Sequence, residues 1–102
     1  MTDFVLVHGG YHGVWCWGAT IGALEVQGHR GFAFDLPGHG ADLTPRETVG
    51  REAYIAKTAV FIRSLGLESF VLVGHSLAGT FLFDASARAF FWRRWFLMLA
   101  SG

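Results

Sequence analysis

The chain has 102 residues, of which 52% are apolar and 16% aromatic, enough to fill one core and too much for a disordered segment. Eight basic and eight acidic side chains cancel, so no net field draws it to nucleic acid or to an anionic membrane. Cys16 has no second cysteine to pair with, no run of about 18 apolar residues offers a membrane span, and no charged-then-apolar leader opens the sequence; the expectation is a cytoplasmic protein that crosses no membrane.

Residues 4–7 form a short apolar β-type run. A loop rich in Gly, His and Trp follows, and residues 17–27 have helical character that Gly28 stops. Residues 31–34 are a second apolar run, ending at Asp35; the loop LPGHG, residues 36–40, and a polar stretch to Thr48 come next. Between 49 and 65, Tyr54, Ile55, Val60, Phe61, Ile62 and Leu65 recur at near-helical spacing, with Arg51, Glu52, Lys57 and Arg63 between them, and Gly66 closes this second helix. Residues 70–73 are the third strand, 77 to about 90 the third helix, and 95–99 the fourth strand, approached through Arg93 and Arg94, with an amphipathic surface helix over 89–100 as the alternative.

Strands that alternate with helices and are apolar on both faces predict the α/β class: a parallel sheet with helices on both faces, of about four strands and three helices. Ligands in such sheets sit beyond the carboxyl ends of the strands, where strand order reverses. If the first strand lies between the second and third, the loop after Val7 and the corner at Ser76 become neighbours.

Ser76 stands in GHSLAG, residues 74–79, at that strand-to-helix corner. A serine hydroxyl becomes a nucleophile when a tight turn exposes it and a base takes its proton. Small residues must flank the corner, because a side chain two positions away would strike strand or helix; Gly74, Ala78 and Gly79 meet that need. A helix beginning at Leu77 would aim free N–H groups at the space above Ser76. The Leu77 N–H is then one oxyanion donor and the Gly10 N–H, in the His8-Gly9-Gly10 loop, the second. Ser76 also reads as a simple helix cap, a reading that the preceding strand and the glycine loop weaken.

FVLVHGGYHGVWCW, residues 4–17, with Gly28-His29, a strand ending in Asp35 and the later GHSLAG, resembles the N-terminal half of an α/β-hydrolase. Within that superfamily the pattern is similar to the branch of plant methylesterases, hydroxynitrile lyases and bacterial esterases. The resemblance covers the chain to about residue 87 and implies residues 1–102 as the N-terminal portion of one hydrolase domain. It implies Ser76 as nucleophile, Gly10 and Leu77 as oxyanion hole, and Gly9, Tyr11 and His75 at the substrate pocket, with His75 not the base. Lyases of the branch usually carry threonine at the position of Gly9, so glycine favours an esterase. The implied substrate is a small uncharged ester, with no cofactor and no metal.

One departure is mild: Ala78 stands where the commonest pattern has glycine. The other concerns the triad. The family's order is nucleophile, acid, histidine, whereas His8, His12, His29, His39 and His75 all precede Ser76 and the only acid after it is Asp84, inside the third helix. The expectation is a chain nearly inactive by itself. His8 and His12 read as structural, His29 and His39 as loop residues bonded to backbone, Cys16 as packed, Trp15 and Trp17 as core or pocket wall, and Asp35 as a brace for the loop after its strand. Two other functions were weighed: a non-catalytic chain whose apolar C-terminal edge favours self-association, and a dinucleotide-binding module. Against the second, Gly9, Gly10 and Gly13 do not make G-x-G-x-x-G, and Tyr11 and Trp15 would fill the pyrophosphate space.

Overall fold

The first strand, β1 (Asp3–Val7), carries Val5, Leu6 and Val7 with no more than 1% of their surface exposed. A strand buried on both faces belongs in the middle of a sheet. The computed structural model describes residues 1–10, 12–89 and 94–100; within helices and strands, the side chains of Arg46, Ser76, Leu77, Phe83, Ser86, Ala89 and residues 94–100 lie outside that description.

β1 pairs with β2 (Arg30–Ala33) on one side and β3 (Ser69–His75) on the other, and β3 pairs with β4 (Arg94–Ala100). All pairs are parallel, in the order β2-β1-β3-β4. Parallel partners share a face, so Val5 with Leu72 and Leu6 with Val73 define the two sides.

The Val5 side meets α2 (Arg51–Leu65) and α3 (Leu82–Ala89), where Ile55, Ile62, Leu82 and Ala85 join Val5, Val7, Phe70 and Leu72 in one core. Burying each large aliphatic side chain contributes about 1.5–3 kcal/mol. The Leu6 side meets α1 (Gly18–Val26), and Gly31 permits the approach: a Cβ there would lie 3.0 Å from Ile21 Cγ1 and 3.5 Å from Leu6 Cδ1. α2 ends at Gly66 in the left-handed region (φ 64°), whose N–H returns to the Arg63 carbonyl. Ion pairs Arg51–Asp84 and Arg88–Glu52 tie α2 to α3 at the surface, where such pairs add little.

The strand order and helix count match the sequence expectation, while each α-helix starts later than expected, α2 at Arg51 rather than at residue 49. Residues 14–17 form a 3-10 turn (Val14–Trp17) before α1 begins at Gly18. The third helix does not start as an α-helix at Leu77: a 3-10 turn (Ser76–Thr80) precedes α3, and the Phe81 N–H returns to the Ala78 carbonyl. Gly79-Thr80 is poor α-helix material, and the tighter turn draws Leu82 over Gly74. The arginine approach expected at residue 93 lies outside the described residues.

A Cβ on Gly74 would sit 2.2 Å from Leu82 Cδ1 and 3.1 Å from its Cγ, and Leu82 is fully buried. Gly22, inside α1, has nothing within 4 Å of the same position. The same substitution therefore acts with opposite sign at the two sites. Gly74→Ala lowers stability by about 1–3 kcal/mol through overpacking, while Gly22→Ala raises it by about 0.5–1 kcal/mol. Urea midpoints read both, and a Gly74→Ala midpoint at or above wild type would remove the packing constraint.

Candidate active site

β1 and β3 run in register to Val7 and Gly74, so the loops leaving them start side by side at the carboxyl edge of the sheet. β2 and β3 flank β1 on opposite sides, which makes this edge the point where the chain changes direction across the sheet. His75 is the last residue of β3, with extended backbone (φ −109°, ψ 125°), and Ser76 and Leu77 open the 3-10 turn. The first N–H groups of such a turn have no acceptor within it. Any anion held here meets those N–H groups directly rather than the dipole of α3, which starts only at Leu82.

The glycine loop faces this corner. His8, fully buried, donates Nδ1–H to the Gly9 carbonyl at 2.7 Å and accepts the Leu36 N–H on Nε2 at 3.0 Å. Both nitrogens are satisfied only in the neutral ring, and burial pushes its pKa below the ordinary 6.5, with His39 nearby acting in the same direction. A ring so committed has no lone pair to take a proton from Ser76. Gly9 is buried and accepts the His12 N–H through its carbonyl, and the carbonyl of half-buried Gly10 accepts His12 Nδ1–H at 3.0 Å. The His12 ring then meets His75 edge-on, centroids 5.6 Å apart, which joins the glycine loop to the corner. Tyr11 lies outside the described residues.

His12, His75, Cys16 and Trp17 line a cavity of about 190 Å³. Burial raises the Cys16 thiol pKa, which agrees with a packed cysteine. Trp17 Nε1 is buried with no hydrogen-bond partner among the described residues. Trp15 corrects the sequence reading: it is neither core nor cavity wall but 65% exposed, its ring 5.6 Å from His12. His29 Nδ1 accepts the Thr2 N–H and His39 Nδ1–H donates to the Pro37 carbonyl, so both bond to backbone as expected. Asp84 lies on the exposed surface of α3, paired with Arg51. Among the described residues no three of His, Cys, Asp and Glu are placed to hold a metal ion.

Asp35 braces the loop after its strand, accepting the Ala41 N–H at 3.1 Å. It also reaches back to the Val14 N–H at 2.7 Å, a contact the sequence reading did not find. The available signal was Gly13 and Gly40, the two glycines that face the same carboxylate.

The chain belongs to the alpha/beta hydrolase family, whose family profile matches residues 4–101. Among its relatives, Methylesterase 9 of Arabidopsis thaliana is 42% identical over 85 residues, covering 78% of this chain and 32% of the relative. Esterase PIR7B of Oryza sativa subsp. japonica is 42% identical over 79 residues, covering 74% and 30%. Among solved structures, an extracellular alpha/beta-hydrolase from a Paenibacillus species superposes with a TM-score of 0.79 at 30% identity, covering 86% of this chain and 36% of that one. A methylesterase from Arabidopsis superposes with a TM-score of 0.77 at 30% identity, covering 86% and 38%. The chain spans about a third of the length of the relatives it matches. No helix among the described residues is long and apolar enough to cross a membrane.

His8 makes folding pH-dependent. Above 6.5 the ring is neutral in folded and unfolded chains alike; below it the unfolded chain takes up a proton that the folded site resists. Stability therefore falls as pH drops from 6.5 towards the lowered value of His8, and in His8→Gln that part of the slope disappears. Urea midpoints across the interval measure it. A flat wild-type profile would mean that the ring protonates as readily folded as unfolded.

Proposed function

We propose that the protein is a serine hydrolase of carboxylic esters, in which Ser76 attacks the carbonyl, the N–H groups of Gly10 and Leu77 hold the oxyanion, and water releases the acyl group. Gly9, Tyr11 and His75 border the substrate. The observation that carries this reading is the register of β1 with β3 and the His12–His75 contact, which bring the glycine loop beside the GHSLAG corner. The names of the similar proteins point the same way: esterases and methylesterases. A small uncharged ester suits a cavity of about 190 Å³ lined by His12, Cys16, Trp17 and His75. No cofactor enters this chemistry.

We read residues 1–102 as the N-terminal portion of a single hydrolase domain that works in the cytoplasm, a compartment compatible with its free Cys16; the similar hydrolase from Paenibacillus is extracellular. The outer edge of β4, the last strand in the sheet order, offers backbone donors and acceptors for self-association.

A second reading has its own support: the 102 residues alone are not catalytic. Every histidine precedes Ser76, His8 has both nitrogens engaged, and Asp84 is paired with Arg51. A serine without its base retains only what binding and the oxyanion hole contribute.

Turnover of a short-chain nitrophenyl ester by the 102-residue chain and by a longer reading of its gene separates these readings. The short chain is expected to be nearly silent and the longer one active, with Ser76→Ala losing on the order of 10⁴–10⁶ in kcat. Turnover by the short chain that vanishes in Ser76→Ala would refute its inactivity. Equal turnover by the alanine variant of the longer chain would remove Ser76 from the chemistry.

A further inference from the structure

Asp35 follows β2 by two residues, and its carboxylate reaches in two directions. Oδ1 accepts the Val14 N–H at 2.7 Å, across 21 residues of sequence, and Oδ2 accepts the Ala41 N–H at 3.1 Å. Val14 opens the 3-10 turn Val14–Trp17, and the residue at its capping position, Gly13, has no side chain to offer. Asp35 supplies, from the loop after β2, the acceptor that a capping side chain normally supplies locally.

The space around the carboxylate is shaped to it. A Cβ on Gly40 would stand 2.1 Å from Oδ1, and one on Gly13 would stand 2.8 Å from the same atom. Gly40 also has φ +54°, in the left-handed region. The turn held in this way carries Cys16 and Trp17 into the cavity, opposite His12 and His75.

We infer that Asp35 is a positioning residue for the cavity: through the Val14 N–H it fixes the Val14–Trp17 turn, and with it the wall made by Cys16 and Trp17. Its bearing on substrate rests on the ester reading of this crevice, but the placement of the wall does not. Aspartate is suited to the task because both of its oxygens accept. Asparagine would present one acceptor and one donor, so it satisfies the Val14 N–H or the Ala41 N–H but not both.

Cys16 is the chain's single thiol and lies on the wall in question, so its rate of reaction with a small neutral thiol reagent, at one fixed pH, reports on the wall. Asp35→Ala is expected to raise that rate about tenfold, the scale of losing a hydrogen bond to a charged acceptor, and Asp35→Asn to fall between it and wild type. Asp42→Ala is the control. Asp42 accepts the Gly38 and Thr44 N–H groups and pairs with Lys57, so its loss loosens the same segment on the α2 side without touching the turn. The Cys16 rate should then stay at the wild-type value.

A wild-type rate in Asp35→Ala, or an equal acceleration in Asp42→Ala, overturns the inference. Where Asp35→Ala does not fold, Asp35→Asn carries the test by the same criteria. No ester enters the assay, so the inference can fail while the hydrolase reading stands, and the reverse. In the longer, active chain Asp35→Asn is expected to raise KM more than it lowers kcat, which a general loss of fold would not do.

Discussion

A neutral imidazole joins the end of β1 to the loop after β2, and much of the crevice depends on it. His8 gives its one proton to the Gly9 carbonyl and receives the Leu36 N–H. Its ring lies 5.1 Å from that of His39, His39 lies 5.8 Å from Tyr54 on α2, and Tyr54 lies 5.6 Å from Phe81, just ahead of α3. This row of rings connects the end of β1, the loop after β2, α2 and the residue just ahead of α3. A second ring contact, His12 edge-on to His75, joins the glycine loop to the corner after β3. Burial of the His8 ring is inexpensive while it is neutral, because an imidazole with both nitrogens bonded has no unmet hydrogen-bonding demand.

Glycine and aspartate divide the remaining work. Gly74 makes room for Leu82, which brings α3 down onto β3 and turns the chain sharply at Ser76. Gly13 and Gly40 make room for the Asp35 carboxylate, and Asp42 ties the following loop to α2 through Lys57. Lys57 and the surrounding N–H groups of Gly38 and Thr44 hold the Asp42 carboxyl well below the ordinary carboxylate range. The crevice is built from long-range side-chain-to-backbone bonds across loops that have little regular structure of their own.

The sequence was legible where its signals were local. Two-sided apolar strands, a near-helical recurrence over α2 and the glycine at its end fixed the class, the element order and the position of Ser76. The reading failed where a distant residue decided the outcome. The 3-10 turn at Ser76–Thr80 combines a weak local signal, Gly79-Thr80, with the close seat of Leu82 on Gly74, a tertiary contact that helical spacing alone does not reveal. Residue type alone places both Trp15 and Trp17 at the core or pocket wall; on the Val14–Trp17 turn Trp15 is exposed, while Trp17, two residues on, lines the cavity. Asp35 was read as bracing its own loop; its reach to Val14 needs β1 and β2 to be adjacent, which only the sheet order supplies.

That sheet order also sets a timetable. β1 carries three fully enclosed residues, yet its partner β3 lies more than sixty residues later, beyond two helices. Until Ser69–His75 emerges, Val5, Leu6 and Val7 have a neighbour on one side only, and a parallel pair of such sequence separation forms slowly. One edge of this buried strand therefore stays open until β3 arrives, and that interval is when a chaperone or a neighbouring chain has access to it.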